Sequence, residues 1–233
     1  VPATDVETNG CGEFLASDMM KYVDNARVLG LGETMRFMEC CEGEKRMADK
    51  LELFAKKHID GHAPGIRGKE VQAYRLAGVE NDHECSTAEE VLDKLRAGLH
   101  IYVREGSGAK NLETLIKTML DAGVCLDRCA FCTDDKHVEE IRKEGHISTC
   151  IRKAIALGVP VAKAYKMGSY QAAEFYGLKN YGAIGAGYRA DIVFLDDLEQ
   201  VRPLDVMKDG RILTEEDYAK DYSCLLYTSP SPR

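Results

Sequence analysis

Short β-rich apolar runs alternate with amphipathic helical stretches along most of this chain, with a repeat of about 25 residues. The predicted strands cover residues 27–33, 57–63, 78–84, 100–105 and 128–134. The predicted helices cover residues 44–57, 69–77, 87–97, 109–122 and 147–157. Strands that alternate with helices in this way are typical of a parallel sheet with crossover helices, either open or closed into a (β/α)8 barrel. The sequence therefore predicts an α/β fold.

Helix boundaries are marked in the sequence. The segment 86–89 (STAE) resembles a capping box. In such a box the Ser86 hydroxyl and the Glu89 carboxylate would each accept a hydrogen bond from a free backbone amide. Glycines follow several helical stretches, where a left-handed residue commonly ends a helix.

Acidic residues or histidines stand at the end of every predicted strand. They are Glu33, Asp60 with His62, Asp82 with His83 and Glu84, Glu105, and Asp134 with Asp135. Catalytic residues of a (β/α)8 barrel lie at the carboxyl ends of its strands. Five such ends in succession favour one shared site at one mouth of the sheet.

A divalent metal suits this set of side chains. Glu33, His62, His83 and Asp134 offer the nitrogen and oxygen atoms that Zn, Mn or Fe binds. His58 lies four residues before His62, but in a strand that separation is roughly 13 Å, which is too far to share an ion. We therefore interpret His58 as structural.

Cys125, Cys129 and Cys132 form a competing motif. Their C-x3-C-x2-C spacing resembles the cluster-binding loop of radical S-adenosylmethionine enzymes. Such a loop must be exposed, whereas residues 128–133 are predicted to be a buried strand with Cys129 and Cys132 on opposite faces. Buried free cysteines are the preferred interpretation.

The pattern changes near Gly182, where a glycine-rich turn leads to a predicted short buried strand, Ile192–Leu195. We expect a partial barrel over residues 1–178, the start of a flanking β-sandwich over 179–222, and a tail foreign to the protein over 223–233.

Composition restricts the partners. Lys and Arg number 31 against 39 Asp and Glu, a formal net charge of -8, which argues against nucleic acid because each neutralised phosphate needs a basic side chain. No apolar stretch approaches the roughly 20 residues of a membrane span.

The nine cysteines are scattered, unlike a secreted disulfide framework, so we expect a cytoplasmic protein. The sequence is compatible with a monomer and with a homo-oligomer.

Several motifs together resemble bacterial adenine deaminases of the amidohydrolase superfamily, in the right order over about residues 1–222. They include residues 28–33 (VLGLGE), 59–65 (IDGHAPG), 82–85 (DHEC), 104–107 (REGS) and 131–135 (FCTDD). The resemblance implies a metal-dependent (β/α)8 barrel that converts adenine and water to hypoxanthine and ammonia, with a dinuclear Mn, Fe or Zn site.

The resemblance also assigns roles to single residues. Glu33 would bridge two metals, and His62 and His83 would be ligands from strands five and six. Asp134 would bind metal or the attacking water and move its proton. Glu84 is a candidate for proton transfer, and Arg104 and Ser107 are candidates for purine contact.

One departure from the family stands out. The family has a His-x-His pair after its first strand, and this chain has none. We therefore expect the chain to be an internal part of a larger enzyme, inactive alone, whose first strands precede Val1. A purine-binding barrel without catalysis is the remaining alternative.

Overall fold

The computed structural model describes residues 14–219. Five strands alternate with helices, as the sequence predicts, and a small antiparallel sheet follows them. The five strands form two parallel sheets, one of the first and second strands and one of the third to fifth. The strands are β1 (Gly30–Thr34), β2 (His58–Gly61), β3 (Asn81–Asp82), β4 (His100–Arg104), β5 (Cys129–Cys132), β6 (Ile192–Leu195), β7 (Pro203–Lys208) and β8 (Arg211–Ile212). The helices are α1 (Ala16–Val23), α2 (Phe37–Glu42), α3 (Lys45–Leu53), α4 (Lys69–Leu76), α5 (Ala88–Arg96), α6 (Leu112–Asp121), α7 (Val138–Glu144), α8 (Ile147–Ala156), α9 (Val161–Gly168), α10 (Tyr170–Phe175) and α11 (Glu215–Tyr218). The predicted α/β class is confirmed.

Side-chain alternation along the parallel strands creates two different faces. Ile59, Ile101 and Val103 are buried and pack toward the helices. Successive side chains in a strand point to opposite faces, so Asp60, Tyr102 and their neighbours of the same parity face the other way. The helix-facing side carries the apolar core, and the opposite side is free to carry polar chemistry.

Strand β3 is shorter than predicted because side chains replace part of its backbone pairing. β2 and β3 are joined by the Glu80 amide, which donates to the Ile59 carbonyl at 3.0 Å. Beyond that point the amides of Gly61 and Ala63 donate to the side chains of Asn81 and Asp82, at 3.0 and 2.8 Å. These bonds hold the two segments side by side, although β2 and β3 form no regular ladder and belong to separate sheets.

The capping box of α5 lies one residue later than predicted. Thr87, not Ser86, is the N-cap, and its hydroxyl accepts from the Glu90 amide at 3.3 Å. Glu90 rather than Glu89 completes the box, since its carboxylate accepts from the Thr87 amide at 2.9 Å. Helical periodicity explains the shift, because it places Glu90 on the buried face and leaves Glu89 exposed.

Replacing Glu90 with Gln should make stability less dependent on pH. Burial alone would raise the pKa of Glu90, but hydrogen bonds from Ser86 and Gly65 lower it to about 2. A pKa below the ordinary value means that the carboxylate stabilises the fold above about pH 4.5 and loses this effect as the pH falls toward 2. At about 1.4 kcal/mol per pKa unit, a shift from 4.5 to about 2 makes the pH-dependent loss in Glu90→Gln at pH 7 about 3.5 kcal/mol at most.

Urea unfolding between pH 7 and pH 3 measures this effect. The difference in unfolding free energy between the parent and Glu90→Gln should shrink below about pH 4.5. Glu89→Gln is the matched control and should follow the parent throughout, because Glu89 is exposed. A difference that stays constant with pH would contradict the assignment.

The antiparallel sheet β6–β7–β8 agrees with a change of module after Gly182, but the prediction of a buried strand at β6 is wrong. Val193 is 53% exposed and Phe194 is 39% exposed. β6 pairs only with β7 among the described strands, and Leu195 packs partly against the main core. Successive side chains of a strand point to opposite faces, so both faces of β6 are partly exposed. The predicted tail, 223–233, and Val1–Thr4 lie outside the described residues.

Candidate metal centre

Four strand ends bring the predicted ligands together. Glu33 lies within β1, His62 follows β2, His83 and Glu84 follow β3, and Asp134 follows β5. His62 Nδ1 is 2.9 Å from Glu33 Oε2, and His83 Nε2 is 3.7 Å from that same oxygen. Because parallel strands end at the same edge, residues far apart in sequence converge on one point.

The ligands form two groups that share one residue. Glu33, His62 and His83 make the first group, and His83, Glu84 and Asp134 make the second. In each group the candidate ligand atoms lie within 4.8 Å of one another. Histidine nitrogen and carboxylate oxygen are the donors that Zn, Mn and Fe accept, so either group fits one divalent ion. A neutral imidazole has one acceptor nitrogen, so His83 can serve only one ion at a time.

His62 provides a direct test of this fit. Its Nδ1 is buried and makes no hydrogen bond, although the Glu33 carboxylate is only 2.9 Å away. Two ligands of a tetrahedral zinc ion with bonds of about 2.0 Å lie about 3.3 Å apart, which is close to this separation. A buried nitrogen without a hydrogen-bond partner costs free energy unless something else satisfies it. A cation between His62 and Glu33 would do so.

Arg104, at the end of β4, joins the two carboxylates of the second group. Its guanidinium donates to Asp134 at 2.6 Å and to Glu84, with one of the Glu84 contacts at 3.1 Å. Burial alone would raise the pKa of Asp134, but the hydrogen bond and the charge of Arg104 lower it. Asp134 is thus held as a carboxylate, which is the form that binds a cation.

The backbone around Asp134 is set by the neighbouring loop. Asp134 has a φ of 53°, in the left-handed region that most side chains avoid. The Ser107 amide donates to the Asp135 carbonyl at 2.8 Å, and the Glu105 amide donates to the Cys132 carbonyl at 3.0 Å. Bonds on both sides of Asp134 hold it in this conformation.

Gly106 makes this close approach of the two loops feasible. A Cβ atom on Gly106 would lie 2.5 Å from the Thr133 carbonyl oxygen and 2.8 Å from the Asp135 carbonyl oxygen. Both atoms belong to the backbone on either side of Asp134, so neither can move without moving Asp134 as well.

Replacing Gly106 with Ala should therefore displace Asp134 and weaken by about 10- to 100-fold any metal binding to which Asp134 contributes. Gly108→Ala is the control, because a Cβ there meets nothing within 4 Å. Mn²⁺ titrations of both variants check this expectation. Equal Mn²⁺ affinity in the two variants would show that the approach of the loops does not position Asp134.

Ser107 is engaged within the protein. Its hydroxyl donates to Glu140 and accepts from the His137 amide at 2.9 Å. His146 contacts the strand end as well, with its Nε2 2.9 Å from the Thr133 hydroxyl. The structure therefore places Ser107 as a bridge between the loops that follow β4 and β5.

The cysteine motif is dispersed over different elements. Cys125 is exposed before a 3-10 turn, Cys129 is buried in β5, and Cys132 ends that strand. The two groups named above are the only candidate metal-binding groups in the described residues, and neither contains a cysteine. Burial raises the pKa of both the Cys129 and Cys132 thiols to about 12, which disfavours the thiolate that a cluster needs.

His58 lies at the opposite end of β2 from His62, as predicted. Its Nδ1 is 2.6 Å from Glu80 Oε2, and its ring packs against Phe175 with centroids 5.1 Å apart. A cavity of about 270 Å³ lies between this aromatic region and the candidate metal ligands. Its lining includes Asp60, Tyr102 and Tyr176, together with Glu33, His83 and Asp134.

Two residues that contact the segments of the site, Gly106 and Lys94, have no assigned role in the sequence prediction. The Lys94 ammonium donates to the carbonyl of Ala63, the residue after His62, at 2.7 Å. Gly106 had a weak signal in the Gly106-Ser107-Gly108 run. Lys94 had a clearer one, since it lies three residues after the buried Val91 on an amphipathic helix and so falls on the core side.

Across residues 14–219, we find no helix long and apolar enough to cross a bilayer.

Comparison with known proteins identifies related chains. The sequence profile of the amidohydrolase family matches residues 43–213. The chain is 44% identical over 216 residues to an adenine deaminase of Desulfitobacterium hafniense, and 43% identical over 219 residues to one of Clostridium acetobutylicum. Each alignment covers 93% of this chain and 38% of the relative, so the chain spans less than two fifths of the length of these curated relatives.

The fold has relatives among solved structures. A β-aspartyl dipeptidase from Fervidobacterium islandicum AW-1 superimposes with a TM-score of 0.61, over 84% of this chain and 62% of the other. The sequence identity is 18%, so this likeness concerns the fold alone.

Proposed function

Because this chain belongs to the amidohydrolase family, we propose that the protein to which it contributes is a metal-dependent adenine deaminase that hydrolyses adenine to hypoxanthine and ammonia. The relatives at 44% and 43% identity carry that name. The observation that supports the proposal most strongly is the convergence of Glu33, His62 and His83, with Asp134 in an adjoining group.

The architecture follows from the same membership. We assign β1 to β5 to strands four to eight of a (β/α)8 barrel over residues 1–178. Residues 179–222 would begin the flanking β-sandwich. The exposed apolar side chains of β6, Val193 and Phe194, support this division, since a sandwich strand needs a second sheet to cover it.

The metal would be held by Glu33, His62 and His83, and Glu84 with Asp134 would hold a second ion if one binds. A bound Mn, Fe or Zn ion supplies Lewis acidity, which brings the pKa of water toward neutrality. The protein would be loaded in a reducing cytoplasm, in agreement with the free thiols of the described cysteines.

The side chains would then carry the protons. Water adds to C6 of the purine, and Asp134 accepts the proton that the water gives up. The same carboxylate passes this proton to the departing amine, which leaves as ammonia. Glu84, beside His83, would protonate the purine ring as the tetrahedral carbon forms. The proton of the C6 hydroxyl would return to Glu84 when ammonia leaves and the C6 carbonyl forms, so no net proton is gained or lost.

Arg104 and Ser107 remain the candidates for purine contact. The Nε atom of Arg104 is buried and makes no hydrogen bond, which supports a role for this side chain in binding the purine. The Ser107 hydroxyl is occupied by Glu140 and the His137 amide, so Ser107 would have to exchange a partner to bind substrate. Of the two, the geometry favours Arg104.

An ammonia-release assay on the full-length protein tests the proposal. The protein is supplied separately with Mn, Fe and Zn, and adenine is compared with guanine, cytosine and adenosine. We expect stoichiometric hypoxanthine and ammonia from adenine. Adenine binding without ammonia release under all three metals would favour a non-catalytic purine-binding protein.

A further inference from the structure

Lys94 in α5 is a charged side chain that is completely buried. Its side chain is 0% exposed, and so is that of its partner Asp82. The Lys94 ammonium donates to Asp82 at 3.0 Å and to the Ala63 carbonyl at 2.7 Å. Removing two charges from water is unfavourable unless the geometry provides strong compensating contacts. The burial of the Lys94–Asp82 pair at this position therefore needs a structural explanation.

Asp82 and Lys94 together hold the two segments that carry the histidines. The Asp82 carboxylate accepts from the Ala63 amide at 2.8 Å and from the Glu84 amide at 3.0 Å. Ala63 directly follows His62, and Glu84 directly follows His83. Both backbone polar groups of Ala63 are thus bound by the pair, which also fixes the amide next to His83.

A second contact from the same helix supports this arrangement. One turn before Lys94, the Glu90 carboxylate accepts from the Gly65 amide at 2.5 Å. α5 therefore contacts the segment after His62 at two points, Ala63 and Gly65. Burial alone would lower the pKa of Lys94, but the charge of Asp82 outweighs it and raises the pKa, so the ammonium stays charged.

We propose that Asp82 and Lys94 are positioning residues, which fix the spacing of His62 and His83 and thereby set the metal affinity of the centre. Neither side chain is among the candidate ligands, so the pair acts through the backbone. The inference rests on the metal centre of the proposed function, but not on adenine as the substrate. Partners beyond the direct ligands typically change metal affinity by about 10- to 100-fold.

The test measures Mn²⁺ dissociation constants of the full-length protein by competition with a fluorescent chelator. We expect Lys94→Met to weaken Mn²⁺ binding by about 10- to 100-fold. Val91→Ala is the matched control, because Val91 is also fully buried on α5 but packs in the apolar core. It should lower the melting temperature while keeping Mn²⁺ affinity within about twofold, since it leaves the supports of the ligands unchanged. All measurements are made at a temperature where circular dichroism shows folded protein.

If Lys94→Met does not fold, the double variant Asp82→Asn with Lys94→Gln replaces it, since it leaves no uncompensated charge. The same loss of affinity is expected. Mn²⁺ affinity within twofold of the parent, or an equal loss in Val91→Ala, would overturn the proposal. A parent that binds Mn²⁺ but does not deaminate adenine leaves this inference standing and refutes the proposed substrate. A parent that binds no Mn²⁺ refutes both.

Discussion

Asp134→Asn in the complete, metal-loaded enzyme is expected to lower kcat for adenine by about 10²- to 10⁴-fold, the range that positioned acid-base groups contribute. Asparagine keeps an oxygen that can accept from Arg104, so the shape of the site should persist. It cannot take up the proton of the attacking water at neutral pH. The loss should therefore fall on kcat, with KM for adenine changed only a few-fold.

Asp135→Asn is the control for this prediction. The Asp135 side chain is exposed, and its backbone carbonyl, which binds Ser107, is unchanged by the substitution. Asp135→Asn should retain near-parental turnover. Near-normal kcat in Asp134→Asn, or a larger loss in Asp135→Asn, would move the proton-transfer role away from Asp134.

His62→Gln is expected to weaken metal binding by more than about 100-fold, beyond the range for residues that only support a ligand. The Nδ1 atom of His62 lies 2.9 Å from Glu33 Oε2 without a hydrogen bond. The amide of glutamine cannot reproduce both the position and the donor strength of this nitrogen. Metal content after dialysis, measured by elemental analysis, should fall together with deaminase activity.

His58→Gln provides the comparison within the same strand. His58 faces Glu80 at the other end of β2, so its loss should leave metal content unchanged. Its effect should be limited to stability, through the contacts with Glu80 and Phe175. Equal metal loss in His62→Gln and His58→Gln would contradict the assignment of His62, and not His58, as a metal ligand.

The polar residues of the candidate centre could be predicted from the sequence because strand periodicity and strand order decide where they fall. Once β1, β2, β3 and β5 are known to be parallel, Glu33, His62, His83 and Asp134 must end at one edge of the sheet. The separation of His58 from His62 follows from the same geometry. These conclusions need only the periodicity of the strands and their order in the sequence.

Other features depend on contacts between distant segments, which the pattern does not contain. The clash that a Cβ at Gly106 would make is with Thr133 and Asp135, and neither partner can be inferred from a Gly-Ser-Gly run. The length of β3 depends on Asn81 and Asp82 replacing backbone acceptors for β2. The contacts of the Ser107 hydroxyl with the segment after β5 are likewise a product of tertiary packing.

Anomalous diffraction from Mn²⁺-loaded crystals of the complete enzyme would test the metal centre most directly. We expect an ion bound by Glu33, His62 and His83, and, if the centre is dinuclear, a second ion at Glu84 and Asp134. Manganese found only at other residues, with Arg104 still bridging Glu84 and Asp134 and no ion on His62, would contradict the assignment of this centre.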